Sequence, residues 1–163
     1  MSTEALKHHD DLGFRMRKIA KFEVAEEQLF DCLNLFVEGR YYSASTLAGA
    51  AEEIFSKLLN SRGEQSQLDE AHEFESMIRT SVGQNVRSKS STGGVLYKLR
   101  NSLKHIDIKS RDDFVVRFRL NPDVEAQMLR AVFSYERLKK GRSMPRHIGE
   151  AIFRFRKELR KNK

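Results

Sequence analysis

Apolar residues recur every three or four positions over most of this 163-residue chain. One such stripe contains Ile19, Phe22, Leu29, Leu33, Phe36 and Val37. Another contains Val124, Met128, Ala131, Val132, Tyr135 and Leu138. This spacing places the residues on one face of an α-helix. Only 2 prolines and 9 glycines interrupt the chain, so the pattern predicts a mostly helical protein.

Turn signals divide the chain into segments. Gly39 is typical of the residue that follows a helix, and Asn121 and Pro122 are typical of a helix start. Helices are therefore predicted at about 18–38, 41–60, 66–81, 95–104 and 121–141, followed by a last basic helix. The segment Val82–Gly94 has no period and is rich in Ser and Gly, which predicts a flexible loop.

The second helix, "YYSASTLAGAAEEIFSKLLN", is rich in small residues in its first half. Small side chains let another backbone approach closely. Gly49 in mid-helix costs about 1 kcal/mol relative to Ala, so it is best interpreted as a packing contact. Glu52 and Glu53 interrupt the apolar pattern there. They are either a surface pair or, if one faces inward, a partner for a buried cation.

The period changes after position 104. Apolar residues alternate with polar ones in "HIDIK" and in "FVVRFRL", which predicts a short β-hairpin at about 105–120. The predicted fold is therefore all-α, an antiparallel bundle of five to six helices with one short hairpin. Three parts are expected: a flexible N-terminus at 1–17, the bundle at 18–141, and a basic C-terminal helix at 142–163.

The net charge of +7 is unevenly distributed. From Lys139 onward there are ten basic and two acidic residues, so this segment carries about +8 and the rest of the chain about −1. Such a segment can attract RNA, DNA or an acidic partner by neutralising phosphates. It can equally be a solvated helix face that aids solubility.

The composition also excludes several classes of protein. Cys32 is the only cysteine, which excludes a disulfide scaffold and suggests the reducing cytoplasm; its position in an apolar stripe predicts a core residue. No segment has the character of a signal peptide, and no apolar run approaches the roughly 18 residues of a membrane span. Phosphate loops and cysteine pairs for zinc are missing, so we expect neither a cofactor nor a metal.

The stretch "KLRNSLKHIDIK", Lys98–Lys109, carries the residues best suited to chemistry. Arg100 lies on the flank of a predicted helix and His105 at its end. His105 could take a proton from a ribose 2′-hydroxyl, Arg100 could hold the phosphate, and Asn101 could orient either group. A similar Arg-His spacing in "RSMPRH" is discounted because Pro145 breaks the helix.

The segment "RNSLKH" resembles the Arg-polar-x-x-x-His motif of the HEPN superfamily, and "YYSASTLAGAAEEIFSKLL" is similar to a helix common in its bacterial members. The resemblance implies a helical bundle that acts as a metal-independent endoribonuclease, with Arg100, Asn101 and His105 in the motif. It also implies a toxin or defence role, a nucleotidyltransferase-type antitoxin partner and a homodimer whose two motifs share a cleft.

Two other functions remain open at this point. One is a non-catalytic bundle that binds nucleic acid, a nucleotide or another protein through the same cleft or the basic tail. The other is an antitoxin-like or assembly protein in which the small-residue stretch Ser43–Ala51 is the partner interface.

Overall fold

The computed structural model describes residues 18–104 and 120–161, and all regular structure within these two ranges is helical. The helices are α1 (Lys21–Val37), α2 (Tyr41–Ser61), α3 (Gln67–Ser81), α4 (Lys89–Leu96), α5 (Lys98–Lys104), α6 (Leu120–Leu138) and α7 (Arg146–Lys161). The helical class is thus confirmed. The predicted flexible N-terminus and all but the last residue of the predicted hairpin lie outside the described residues. That last residue, Leu120, begins α6.

Four helices form the core of the bundle. Helix α2 packs against α1 on one side and α6 on the other, and α7 packs against α1. The predicted stripe of α6, from Val124 to Leu138, is buried as expected. The basic last helix also buries its apolar residues Ile148, Ile152 and Phe155 in this same core.

Aromatic rings join the helices at one end of the core. The ring of Phe22 lies 5.8 Å from that of Phe55 and 6.0 Å from that of Tyr135, so α1, α2 and α6 meet there. The Tyr135 hydroxyl donates to Glu26 at 2.6 Å. Cys32 is fully buried, and burial raises the pKa of its thiol, as expected for a core residue rather than a nucleophile.

The prediction for positions 82–104 is wrong in two respects. The second half of the predicted loop is helix α4, because the Ser88 hydroxyl caps it by accepting from the Ser91 N–H at 3.2 Å. The predicted single helix at 95–104 is also interrupted at Tyr97, which separates α4 from α5. Thr92 on α4 donates to Glu75 on α3 at 2.7 Å. Contacts with α3 therefore compensate for the poor helix-forming residues of α4.

Helix α3 forms where the sequence predicted a helix, at about 66–81. Its start is well capped, since the Ser66 hydroxyl and the Asp69 carboxylate satisfy each other's backbone N–H groups. Yet within the described ranges α3 buries none of its side chains. Phe74, Met77 and Ile78, three large apolar residues of this helix, are 60%, 60% and 45% exposed. We call these three residues together with Val82, which is also exposed, the α3 apolar face.

None of the helices in these two ranges is long and apolar enough to cross a membrane.

Candidate functional site

Arg100 lies on α5 where this short helix crosses α2. A β-carbon placed on Gly49 of α2 would lie only 2.6 Å from the Cγ and Cδ atoms of Arg100 and 2.4 Å from Nε2 of Gln127. Glycine is therefore needed for the approach of both side chains. The interpretation of Gly49 as a packing contact is confirmed, and the atoms it admits include the stem of the candidate site residue.

Three groups hold the guanidinium of Arg100. Its Nη1 atom lies 3.4 Å from Oε2 of Glu53, and its Nε donates to Oδ1 of Asn101 at 3.4 Å. Its central carbon lies 4.4 Å from the centre of the Tyr97 ring, a cation–π contact. The side chain is only 15% exposed. Arg100 is thus held in one orientation, and the carboxylate that neutralises it, Glu53, is 41% exposed.

A buried polar cluster supports Arg100 from beneath. Glu52 is 1% exposed and accepts hydrogen bonds from the Tyr97 hydroxyl at 3.0 Å and from Ser56 at 2.8 Å. Burial, together with the charge of Glu52, raises the pKa of Tyr97. The Tyr97 hydroxyl therefore stays protonated and acts here as a donor.

A second arginine lies near the Tyr97 ring. The guanidinium of Arg130, on α6, is 5.8 Å from the ring centre and donates to the Leu96 carbonyl at 3.1 Å. Burial lowers its pKa, and its Nε atom has no hydrogen-bond partner in the described part of the chain. The Leu96 bond ties α6 to the last residue of α4, next to the break at Tyr97, so Arg130 helps to position Tyr97 and hence Arg100.

A cleft of about 210 Å³ opens beside this cluster between α2, α5 and the start of α3. Its cations are Arg100, Lys57 and Lys89. Lys57 pairs with Glu53 at 2.9 Å, and Lys89 pairs with Asp69. Hydrogen bonds from Lys89 and Ser66 lower the pKa of Asp69 to about 2. Within the described ranges no group of three or more His, Cys, Asp or Glu side chains could hold a metal ion.

The small-residue stretch of α2 is occupied within the chain itself. Ala44, Ser45 and Ala48 are buried, and α6 packs against this helix. Ser45 donates to Gln127 of α6 at 2.8 Å, and Gln127 returns a bond to the Ser45 carbonyl at 3.1 Å. The inward side of this stretch is therefore covered by the same molecule. Ser43 is exposed and Leu47 and Ala50 are only half-buried, so a partner interface on the outer side stays a prediction.

The predicted site residues are placed as follows. Arg100 and Asn101 lie side by side on α5, with Arg100 in the cleft and Asn101 exposed. His105 lies outside the described residues and directly follows Lys104, the last residue of α5. His147, in the discounted "RSMPRH" segment, lies on α7 and packs against the ring of Phe30 at 5.1 Å. His72, on α3, lies 3.2 Å from the hydroxyl of Thr92 on α4.

Two residues of the cluster were not predicted. Tyr97 precedes Arg100 by three positions, so a helical periodicity would have placed the two on one face had the helix not broken there. Arg130 follows Gln127 by three positions on α6, so these two polar residues form a second stripe beside the apolar stripe of that helix. This polar stripe was the signal that could have revealed Arg130.

Replacing Gly49 by alanine should destabilise the protein by up to about 2 kcal/mol. The added methyl group overlaps Arg100 and Gln127, an overpacking cost of about 1–3 kcal/mol, and only about 1 kcal/mol is recovered from helix propensity. Gly94→Ala is the matched control: Gly94 is also helical, but its added methyl would point into open space, so it should stabilise slightly. Urea unfolding measures both, and equal effects would contradict the close approach at Gly49.

No family model, curated protein or solved structure matches this chain. The arrangement of Arg100 over Gly49, between Glu53 and Tyr97, is therefore what supports a function.

Proposed function

We propose that this protein is a metal-independent endoribonuclease of HEPN type. Arg100 contacts the scissile phosphate, His105 transfers protons, and Asn101 orients the guanidinium. One observation carries the proposal: Arg100 is held in a single orientation inside an open cleft, on the short helix that leads directly to His105. Preorganised donors of this kind stabilise a charge that grows in the transition state.

The chemistry follows from these groups. The 2′-oxygen of the ribose attacks the adjacent phosphorus and the 5′-oxygen leaves, which gives a 2′,3′-cyclic phosphate and a 5′-hydroxyl. His105, as imidazole, removes the proton of the 2′-hydroxyl. His105 of the second copy in the dimer, as imidazolium, supplies the proton that the leaving oxygen needs. The guanidinium of Arg100 stabilises the negative charge on the phosphate oxygens.

The ion pair of Arg100 is compatible with phosphate binding. Glu53 is 41% exposed and also pairs with Lys57 at 2.9 Å. When a phosphate takes the place of the Glu53 carboxylate on Arg100, Glu53 therefore keeps a cationic partner and access to water. The exchange leaves neither a buried charge nor an unpaired carboxylate, so its free-energy cost is small.

A homodimer belongs to the same proposal, and we assign its contact to the α3 apolar face. Helix α3 has 15 residues and no buried side chain, so it relies on its caps and on polar contacts such as the Thr92–Glu75 hydrogen bond. A second copy would cover Phe74, Met77 and Ile78 by a two-fold contact of this face with itself. The toxin or defence role, the nucleotidyltransferase-type partner and the cytoplasmic location are the parts of the proposal that rest on the resemblance and composition alone.

A non-catalytic module is the second candidate, and one observation favours it. Glu53 and Tyr97 already satisfy the guanidinium of Arg100, as they would if its role were to hold α5 on α2. In that case the cleft or the basic helix binds RNA or a nucleotide and no bond is broken.

RNA with a single 2′-deoxy substitution separates the two candidates. The protein is incubated in EDTA with a labelled RNA, the cut position is mapped, and the ribose at that position is replaced by deoxyribose. The proposal expects cutting of the first RNA, a 2′,3′-cyclic phosphate end, and at least a hundredfold slower cutting of the second. Binding of both RNAs without cutting of either would support the module, and cutting of the 2′-deoxy position would refute the role of the ribose hydroxyl.

The dimer contact makes a separate prediction. Phe74→Asp should convert a dimer to a monomer in sedimentation velocity, because a carboxylate would be buried without a partner in the contact. Phe153→Asp is the matched control, since Phe153 is similarly exposed, at 68%, but lies on α7. A wild-type protein that sediments as a monomer at all concentrations would overturn the dimer and would also count against a cleft shared by two motifs.

A further inference from the structure

Helix α7 presents an aromatic ring to solvent among basic residues. Its apolar residues Ile148, Ile152 and Phe155 are buried against the bundle, yet Phe153 on the opposite side is 68% exposed. Lys157 and Arg160 follow it by four and seven positions, so the three side chains lie along one face of the helix. A large apolar ring in such surroundings gains nothing from the core and is available to a ligand.

The cations of α7 fall into two groups. Arg146, Arg156 and Lys161 are each paired with a carboxylate, those of Glu150, Glu136 and Glu158 respectively. Arg154, Lys157 and Arg160 have no carboxylate partner among the described residues. Arg154 is instead held by a hydrogen bond to Oδ1 of Asn34 at 2.9 Å, which fixes its position without neutralising it. Arg154 directly follows Phe153, and Lys157 and Arg160 follow it by four and seven positions.

We propose that this surface, formed by Phe153, Arg154, Lys157 and Arg160, binds single-stranded RNA. Unpaired bases expose their faces, and stacking on an aromatic side chain is the usual way in which proteins hold them. The cations contact the phosphates on either side of the stacked base. A duplex keeps its bases stacked on each other and offers only phosphates, so the exposed ring selects for single strands.

An anionic membrane is the other polyanion that a basic amphipathic helix can bind. Such binding requires the apolar side of the helix to enter the lipid. In this protein that side is the part of α7 buried in the core, and a single phenylalanine remains. The surface therefore fits RNA better than lipid.

The inference depends on the proposed function only for RNA as the natural ligand, and it can be tested without any cleavage. Fluorescence anisotropy would follow a labelled single-stranded 12-mer RNA with 2′-O-methyl groups, which lacks the nucleophilic hydroxyl. Phe153→Leu should weaken binding about five- to tenfold, whereas Phe153→Tyr should bind like the wild type, because stacking requires a ring. Lys157→Glu with Arg160→Glu should also flatten the dependence of log Kd on log salt concentration by one to two units.

Two further ligands complete the test. A duplex of the same sequence should bind more weakly than the single strand and should be insensitive to Phe153→Leu. Vesicles with anionic headgroups should not compete for the surface. Equal binding of the single strand by the Leu and Tyr variants would overturn the stacking role, and displacement of RNA by vesicles would indicate lipid. Since the RNA in this experiment cannot be cut, a failure of the proposed cleavage would leave these outcomes unchanged.

Discussion

His105→Ala should lower the rate of RNA cleavage by about 10²–10⁴-fold, the contribution typical of a positioned acid–base group. Binding of uncleavable RNA should change little, because the phosphate is held by Arg100 and by the cations of α7. The measurement is single-turnover cleavage of a labelled RNA in EDTA. His147→Ala is the matched control: His147 follows Arg142 by five positions, as His105 follows Arg100, but it lies on α7 against Phe30, and its loss should leave the rate unchanged.

Substitutions of Arg100 complete this prediction. Arg100→Lys keeps a charge and most of the stem that packs on Gly49, but it loses the paired donors that hold a phosphate. Removal of a single preorganised donor typically costs 10²–10³-fold in rate. Arg79→Lys, on α3 in an ion pair with Glu75 at 2.9 Å, should leave cleavage unchanged. Cleavage at the wild-type rate by both His105→Ala and Arg100→Lys would remove the motif from the mechanism.

Glu52→Ala should destabilise the protein by about 3–4 kcal/mol, the largest stability effect we expect at the site. Glu52 is 1% exposed and accepts from both Tyr97 and Ser56. Its loss leaves two hydroxyl donors unsatisfied and a cavity between α2 and α5. It also removes the negative charge of Glu52, which favours the charged form of the half-buried Arg130, and a buried cation without compensation adds to the cost.

Glu53→Ala is the control for this prediction. Glu53 is the neighbouring residue with the same side chain, but it is 41% exposed and its pairs with Arg100 and Lys57 are partly in water. Its loss should cost less than about 1 kcal/mol. Urea unfolding followed by circular dichroism measures both, and Glu52→Gln, which keeps one acceptor oxygen, should fall between them. Equal midpoints for the two alanine variants would show that the charge of Glu52 is not needed inside.

The positions of α1, α2, α6 and α7 follow from the sequence. Each of these helices buries one face, and burial of one face is what produces the period of three and four that the sequence displays. The helix ends at Gly39 and Gly141 were also predictable, since both adopt positive φ angles, of 77° and 78°, that favour glycine. The sequence also indicated that one of the two glutamates of α2 could face inward. Glu52 is the inward one, because it lies on the same face of the helix as the buried Phe55 and Leu59.

Other features depend on contacts between segments distant in sequence. The composition of Val82–Gly94 disfavours a helix, and α4 forms because Thr92 bonds to Glu75 and Gly93 lies against Leu68 of α3. The apolar period of α3 correctly predicted a helix, but period alone does not say whether a partner covers the apolar face. In this chain the α3 apolar face remains exposed.

The candidate site shows the same division. The sequence alone determined that Arg100, Asn101 and His105 follow one another at the end of a helix, because that is a matter of local spacing. Only the tertiary structure decided that Arg100 lies over Gly49 and between Glu53 and Tyr97, with Arg130 near the same ring. These residues come from α2, α5, α6 and the break between α4 and α5, and the two most distant in sequence, Gly49 and Arg130, are 81 positions apart. They meet because α2 packs against α6 on one part of its surface and against α5 on another. Local periodicity determines which face of a helix is buried, whereas the partner of each buried polar group is determined by how the helices pack.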